Sequence, residues 1–269
     1  MTPRAAFAAC TALLMLATAG CADQDRPARP AAGGTDPTAS APATVPPSVA
    51  PTRRPAPTPT VRPTTSRRPA PTALPPGLRR TTGVRGVALT FDDGPHPQWT
   101  PKVLDQLRAA GVKATFCVVG SKVRQHPALV VRIVREGHQL CNHSWQHDVD
   151  LGTRPEAQIR ADLARTNQAI RAAVPGARIP YYRQPGGRWT PEVVAAAKGL
   201  GMQSLHWTVD PQDWAKPTAS VISKRVTDRV RPGSIVLLHD GGGDRSATLR
   251  ACPGLIASIK QRYGVTRLK

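Results

Sequence analysis

Short apolar runs alternate with amphipathic segments along roughly the last two thirds of the chain. The runs are continuous, which is typical of strands that are buried on both faces of a parallel sheet. Between them, apolar residues recur at helical spacing, and the segments beginning at Pro101, Pro127 and Pro191 have the proline that suits a first helical turn. We predict strands at residues 86–91, 113–119, 138–142, 178–183, 202–209, 234–240 and 265–268.

This alternation predicts an α/β domain in which helices cover a parallel sheet. A barrel and an open doubly wound sheet both fit the pattern. An open sheet that binds nucleotides would carry GxGxxG or GxxxxGK(S/T) after an early strand, and neither motif occurs. We therefore predict a (β/α) barrel of about seven parallel strands over residues 84–269, with functional residues at the carboxyl ends of the strands.

The first 83 residues lack this pattern. Residues 1–20 combine a basic start, an apolar stretch and small residues, which is the layout of a secretory signal peptide. Residues 21–83 are rich in Pro, Thr, Ala and Arg and have no periodic apolar face, so we expect a disordered linker. The predicted organisation is thus a signal peptide, a linker and one domain at 84–269.

The signal segment ends in LATAGC, which resembles a lipoprotein cleavage box. In such a box the cysteine, here Cys21, is lipidated and becomes the mature N-terminus. Thr18 stands where the box usually has an aliphatic residue, so an ordinary secretory signal is the alternative. We expect an exported protein that is either anchored by lipid on the outer face of the cell membrane or secreted, and that is monomeric.

The chain is strongly basic, with a formal net charge of +20. In a cytosolic protein this charge would suggest nucleic acid as a partner. The basic residues are scattered, however, and no nucleic-acid-binding motif occurs. For an exported protein the charge favours an acidic polymer at the cell surface as the partner, and we expect no nucleic acid.

Three cysteines lie in the predicted domain: Cys117, Cys141 and Cys252. No CxxC spacing occurs, which argues against a cysteine metal site. Cys117 and Cys141 fall in successive predicted strands, and export permits disulfides. A Cys117–Cys141 disulfide and two free buried thiols both remain open.

Polar residues gather where the predicted strands end. The set is Asp92, Asp93, Asn142, His143, Arg183, Asp210, Asp213, His239 and Asp240. In a barrel, these side chains share one rim. The adjacent carboxylates of Asp92 and Asp93 repel each other at the end of a buried strand, and a bound cation would offset that repulsion.

His143 and His147 in HSWQH have the spacing that presents two imidazoles on one face of a helical turn. One carboxylate of the Asp92–Asp93 pair would complete a metal site, and the other would remain free to act as a general base on a water whose pKa the metal lowers. His239 would be the general acid. Arg183 would orient the base and Asp213 would orient His239, which together predict metal-assisted hydrolysis of an acyl group.

Five segments then resemble, in order, the five motifs of the NodB-homology polysaccharide deacetylases, which form carbohydrate esterase family four. They are TFDDGP (90–95), HSWQH (143–147), RQPGG (183–187), DPQDW (210–214) and LLHD (237–240). The resemblance spans residues 86–269. It implies a distorted (β/α) barrel that removes N- or O-acetyl groups from polysaccharides.

The resemblance also implies roles for individual residues, position by position. It makes Asp92 the general base and pairs it with Arg183. It makes His239 the general acid and pairs it with Asp213. Asp93, His143 and His147 become ligands of a divalent transition metal, usually zinc.

For the substrate, the resemblance implies that the backbone N–H of Gly186 helps to polarise the acetyl carbonyl. Leu237 and Trp214 would form the walls of the pocket for the acetyl methyl group. The family often has an aromatic or bulky residue where Gly186 stands, so a side-chain wall is missing at that point. The backbone donor survives this change, which concerns substrate fit more than chemistry.

Aromatic residues are scarce, at 4% of the chain, yet all five tryptophans lie near a motif. Sugar rings stack on such side chains. We expect Trp99 and Trp189, on loops after strands, to form a sugar-binding groove, and Trp145 and Trp207 to pack in the core. Asp210 is expected to hold its loop, and residues 241–243 to form a flexible loop beside His239.

The sequence thus predicts an exported, zinc-dependent polysaccharide deacetylase. Location and charge favour the N-acetylglucosamine of peptidoglycan as the substrate. A chitooligosaccharide deacetylase and an acetyl-xylan esterase are alternatives that share the same motifs. A wall-binding pseudoenzyme that uses the groove without turnover is a further alternative.

Overall fold

Six short strands form the central sheet, and all neighbouring strands run parallel. The structure is a computed structural model that describes residues 73–269. The strands are β1 (Ala88–Asp92), β2 (Thr115–Val118), β3 (Gln139–Asn142), β4 (Tyr181–Tyr182), β5 (Gln203–Ser204) and β6 (Ile235–His239). Their order is β5-β4-β3-β2-β1-β6, which places β1 between β2 and β6.

The sheet curls so far that its two edges meet. Beyond β5, Val209 pairs with Val236 of β6 through one parallel bridge. The seventh predicted strand contributes only one bridge, between Val265 and Val87, because the chain then turns inward and buries Leu268 inside the curl. The predicted distorted barrel is confirmed, with six strands where about seven were expected.

In the described part of the chain, seven α-helices cover the outside of the sheet. They are α1 (Thr100–Ala109), α2 (Gly120–Gln125), α3 (Pro127–Arg135), α4 (Glu156–Ala173), α5 (Pro191–Gly199), α6 (Ala219–Arg229) and α7 (Ser246–Arg262). Leu104 of α1 and Ile159 of α4 share one buried core with Leu89 and Phe91 of β1. The six-residue helix α2 was not predicted, because it is too short to show a helical period.

A second, smaller cluster fills the inside of the curl. It comprises Ala88, Cys117, Cys141, Tyr181, Leu205, Ile235 and Leu268. Since side chains alternate between the two faces of a strand, Ala88 and Asp92 of β1 point inward while Leu89 and Phe91 point outward. The same alternation turns His239 of β6 inward beside Asp92, with which it is in register.

Cys117 and Cys141 form a disulfide inside the barrel. They face each other in register on the adjacent strands β2 and β3, and both are fully buried. Asp92 is the register partner of Cys117 on the other side, so the disulfide lies at the level of the first carboxylate. Cys252 is buried and forms no disulfide within residues 73–269.

The chain joins the barrel before residue 84. Arg79 pairs with Leu205 and Thr81 pairs with Ser234 through isolated bridges. The guanidinium of Arg79 donates to the Tyr181 hydroxyl (3.3 Å) and to the backbone carbonyl of Lys269. These contacts are polar, so the apolar pattern did not predict them. The last residues of the predicted linker therefore belong to the folded domain. The predicted signal peptide, Cys21 and the linker up to residue 72 lie outside the described residues.

Within residues 73–269, no helix combines the length and the apolar character that crossing a membrane requires.

Candidate active site

Asp93 lies directly after β1 in the left-handed region, with φ 73°. A non-glycine residue there is strained and needs support from its surroundings. Gly241 and Gly242 supply part of it, because a β-carbon at either position would overlap Asp93. Lys122 adds a hydrogen bond from its ammonium to the Asp93 carbonyl (2.7 Å). Residues 241 and 242 were expected to form a flexible loop, but Gly241 lies against the backbone carbonyl of Asp93 and Gly242 against its carboxylate.

Asp93, His143 and His147 come together as predicted for a metal site. Their ligand atoms all lie within 4.8 Å of one another. Asp93 Oδ1 is 3.4 Å from His143 Nε2 and 3.1 Å from His147 Nε2. This oxygen is buried and has no hydrogen-bond donor among the described residues.

The environment of His143 leaves a lone pair for a cation. Its Nδ1 is 2.8 Å from the carbonyl oxygen of Arg183, which can only accept, so Nδ1 carries the proton. The unprotonated Nε2 then points toward Asp93, as metal-binding histidines do. One carboxylate and two imidazoles fit a divalent transition-metal ion with open positions for substrate.

The HSWQH segment is an irregular loop, and the predicted helical turn was wrong. Ser144 and His147 have φ values of 63° and 61°, and the two imidazole rings are 5.1 Å apart. Hydrogen bonds from Ser121 N–H to the Trp145 carbonyl (2.9 Å) and from Trp145 N–H to Asp162 (2.8 Å) hold the loop. Trp145 is buried, as expected for a packing residue.

Asp92 pairs with Arg183 inside the barrel. The guanidinium donates to Asp92 Oδ1 (2.7 Å), to the Thr90 hydroxyl (2.8 Å) and to the Leu205 carbonyl (3.2 Å). Both charged side chains are almost completely buried. The second oxygen of Asp92 is 3.7 Å from His143 Nε2, so the carboxylate adjoins the metal site while remaining bound to the guanidinium.

His239 pairs with Asp213, which lies in the loop after β5. The imidazole Nδ1 is 2.6 Å from Asp213 Oδ1. The other carboxylate oxygen accepts from His239 N–H (3.0 Å) and from the Thr248 hydroxyl (2.8 Å). Burial lowers the pKa of His239, but the charge and hydrogen bond of Asp213 outweigh it and raise that pKa to about 9. His239 is therefore protonated at neutral pH.

The Asp92 carboxylate, the His239 imidazole and the three candidate metal ligands border one cavity of about 340 Å³. Its lining residues are Asp92, Asp93, His143, His147, Gln184, Gly186, Trp207, Asp210, Trp214, Leu237 and His239. Trp214 is 51% exposed at the mouth. The structure thus brings together all the residues predicted for catalysis or metal binding. Arg183 and Asp213 lie behind the cavity wall, where they hold Asp92 and His239, and the others line the cavity.

The two tryptophans predicted to form a sugar-binding groove do not border the cavity. Trp99 and Trp189 are absent from the cavity lining and are each only 9% exposed. Trp189 donates from Nε1 to His206 Nδ1 (3.1 Å). Trp207 packs against the inner cluster, as expected, and it also lines the cavity. It lies so close to Gly187 that a β-carbon there would overlap it. Proximity to a motif does not reveal which way a loop side chain points.

Two buried polar residues, Gln184 and Arg245, were not singled out from the sequence, and Asp240 was predicted only as one of the rim residues. Gln184 accepts a hydrogen bond from the Tyr182 hydroxyl and donates one to the Val149 carbonyl (3.1 Å). The second bond holds the loop after His147. Burial raises the pKa of Asp240 to about 7, although a hydrogen bond from the Thr100 hydroxyl (2.5 Å) acts to lower it. Arg245 is also buried. No local pattern identifies such residues, because their partners are distant in sequence.

A curled α/β barrel with two buried charge pairs and a candidate cation site on one rim has the groups that metal-assisted hydrolysis requires. Residues 79–205 match the family model for polysaccharide deacetylases. The chain belongs to the polysaccharide deacetylase family, as the motif resemblance predicted.

Individual relatives agree with this assignment. The chain is 42% identical over 192 residues to a chitooligosaccharide deacetylase from Bradyrhizobium sp. (strain ANU 289), covering 67% of this chain and 87% of the relative. It is 36% identical over 178 residues to a peptidoglycan-N-acetylglucosamine deacetylase from Bacillus cereus, covering 65% and 82%. Its fold resembles a CE4 family pseudoenzyme from Bacillus anthracis, with a TM-score of 0.65, 31% identity and coverage of 71% and 67%.

The His239–Asp213 pair yields a first prediction. In metal-free protein, the His239 imidazole should titrate near pH 9, and Asp213→Asn should lower its pKa because the compensating charge is lost while burial remains. NMR of the imidazole nitrogens measures both values. Thr248→Val, which removes one hydrogen bond to Asp213 and keeps its charge, is the control and should not lower the pKa of His239. An unchanged pKa in Asp213→Asn would contradict the pairing.

Proposed function

We propose that this protein removes the N-acetyl group of N-acetylglucosamine residues in peptidoglycan and releases acetate. One observation carries the proposal: the cation site, the Asp92–Arg183 pair and the Asp213–His239 pair meet at a single cavity. The resemblance to a pseudoenzyme means that the fold alone does not carry an activity. In this chain every position expected for catalysis holds a residue with the required chemistry.

Asp92 would begin the reaction by accepting a proton from the attacking water, whose oxygen forms a bond to the acetyl carbon. Its partner is suited to that role. A guanidinium stays protonated in proteins, so Arg183 orients Asp92 without giving it a proton. The carboxylate therefore remains free to accept one.

His239 would complete the reaction as the proton donor. When the carbon–nitrogen bond breaks, the imidazolium gives its proton to the leaving nitrogen, and the products are acetate and a free amine. The charge of Asp213 keeps His239 protonated beforehand. Asp93, His143 and His147 would hold a divalent cation, with zinc as the expected ion, which when bound supplies positive charge to polarise the acetyl carbonyl.

Two observations support peptidoglycan as the substrate. The net charge of +20 suits an acidic wall polymer, and the Bacillus cereus relative is a peptidoglycan-N-acetylglucosamine deacetylase. A chitooligosaccharide is the second candidate, because the chain is more similar to a chitooligosaccharide deacetylase, at 42% against 36% identity. Both substrates present the same N-acetylglucosamine unit to the cavity.

We further propose that the enzyme is exported and anchored by lipid on Cys21 at the outer face of the cell membrane. The support is the signal-like segment at residues 1–20 and the cysteine that follows it. A Pro-rich linker of this length would let the domain reach polymer at a distance from the membrane.

The base assignment predicts the behaviour of Asp92→Asn. Removing the proton acceptor should lower kcat for acetate release about 10²- to 10⁴-fold. Metal binding should persist, because Asp93, His143 and His147 are unchanged. Asp105→Asn, at an exposed ion pair, serves as the control and should keep wild-type kcat. If Asp92→Asn is as fast as the wild type, the base assignment is wrong.

Substrate choice is tested by acetate release from peptidoglycan, chitooligosaccharides and acetylated xylan, each with zinc and with a chelator. We expect zinc-dependent release from peptidoglycan. Release from chitooligosaccharides without release from peptidoglycan would favour the second candidate. Activity on xylan alone would contradict both.

Anchoring is tested by expressing the full chain and Cys21→Ala in a bacterium with a lipoprotein pathway. The wild type should fractionate with membranes and carry an acylated N-terminus by mass spectrometry. The variant should lose the acyl group. An unmodified wild-type N-terminus would contradict lipid anchoring and leave ordinary secretion.

A further inference from the structure

We infer that Arg245 is a positioning residue that fixes the proton-donating pair and the cation site relative to each other. The inference rests on the function proposed above. Arg245 directly precedes α7 and is 2% exposed, yet it belongs to none of the five motifs. It is one of the two largest fully buried side chains, together with Arg183.

The position is costly for a cation. Burying a charge without a counter-ion is unfavourable, and none of the ion pairs formed by residues 73–269 includes Arg245. The start of a helix also disfavours positive charge. The first turn of α7 has its own acceptor, because Asp244 receives the Ser246 N–H (2.9 Å) and hydroxyl (3.1 Å). Arg245 therefore does not serve the helix.

The guanidinium instead binds three backbone carbonyls. Its Nε donates to Gly241 (2.7 Å), one terminal nitrogen to Asp213 (2.9 Å) and the other to Gly242 (2.8 Å). The planar fork of arginine satisfies all three directions at once. Three acceptors from two separate segments are thereby held at fixed distances.

Each of these segments carries part of the site. Gly241 and Gly242 pack against Asp93, which is the carboxylate of the cation site. Asp213 holds the His239 imidazole at 2.6 Å. A shift of the Asp213 backbone relative to Gly241–Gly242 would change the position of His239 relative to Asp93. Arg245 is the side chain that spans this gap.

Arg245→Lys is the sharpest test, because lysine keeps the charge and loses the planar three-way geometry. We expect the variant to bind zinc more weakly, with a dissociation constant about 10- to 100-fold higher when zinc is added to metal-free protein. We expect kcat to fall by a similar factor, because loss of a group that supports metal ligands typically has effects of this size. KM should change little, because none of the hydrogen bonds of Arg245 involves Trp207 or Leu237 of the cavity wall. Zinc affinity is measured by competition with a chromophoric chelator, and kcat by acetate release.

Arg225→Lys is the matched control. Arg225 also donates to a backbone carbonyl, that of Pro211 (2.9 Å), but within residues 73–269 it makes no hydrogen bond to Asp213, Gly241 or Gly242. It should keep wild-type zinc affinity and kcat. Arg245→Gln, which is neutral, should resemble Arg245→Lys if geometry is the reason for the effect.

A lower melting temperature in Arg245→Lys with zinc affinity and kcat equal to the Arg225→Lys control would overturn the inference, because Arg245 would then serve stability alone. Circular dichroism identifies unfolded variants. If both Arg245 variants are unfolded, the residue is required for folding and the inference also fails. Should wild type bind zinc but release no acetate from any substrate, the proposed function fails, while the zinc measurement still decides the role of Arg245.

Discussion

Four buried carboxylates crowd the carboxyl end of the barrel, and the rest of the site follows from how their charges are compensated. Asp92, Asp93, Asp213 and Asp240 are each 9% exposed or less. Like charges at this density cannot all remain ionised without partners. Arg183 compensates Asp92, protonated His239 compensates Asp213, and a divalent cation would compensate Asp93. None of the ion pairs within residues 73–269 includes Asp240, and burial raises its pKa to about 7.

The barrel arranges these charges through strand alternation. In β1, Ala88, Thr90 and Asp92 occupy successive inward positions, so the interior changes from apolar to polar to charged along the strand. The Cys117–Cys141 disulfide joins β2 and β3 beside the charged level. A one-residue slip of β1 would turn Phe91 inward and bury Asp92 among the outer helices. The outer core is therefore as necessary to the site as its polar residues.

Much of this arrangement could be predicted from the sequence, because it depends on regular elements. Continuous apolar runs located all six strands, and the carboxyl ends of parallel strands share one rim, so Asp92, His143, Arg183 and His239 could be placed together. Irregular loops resisted the same reasoning. The HSWQH loop contains residues with left-handed backbone conformations. The tryptophans lie in or beside loops, where the loop conformation and not the periodicity determines the direction of the side chain. The packing of Arg79 and the carbonyl contacts of Arg245 depend on distant backbone groups that no local pattern encodes.

The different partners of Asp92 and Asp213 explain why two buried carboxylates at one site need not compete for the same role. A guanidinium does not release its proton in proteins, so in the proposed reaction the Asp92–Arg183 pair can accept a proton but cannot donate one. The pKa of His239 is raised to about 9, so the Asp213–His239 pair holds a proton at neutral pH that it would donate in the proposed reaction. Exchanging the partners would exchange the roles, because the carboxylates are chemically identical. In the proposed reaction, the direction of proton transfer would thus be set by the cation that lies beside each aspartate, as in other sites where neighbours separate the pKa values of two titrating groups.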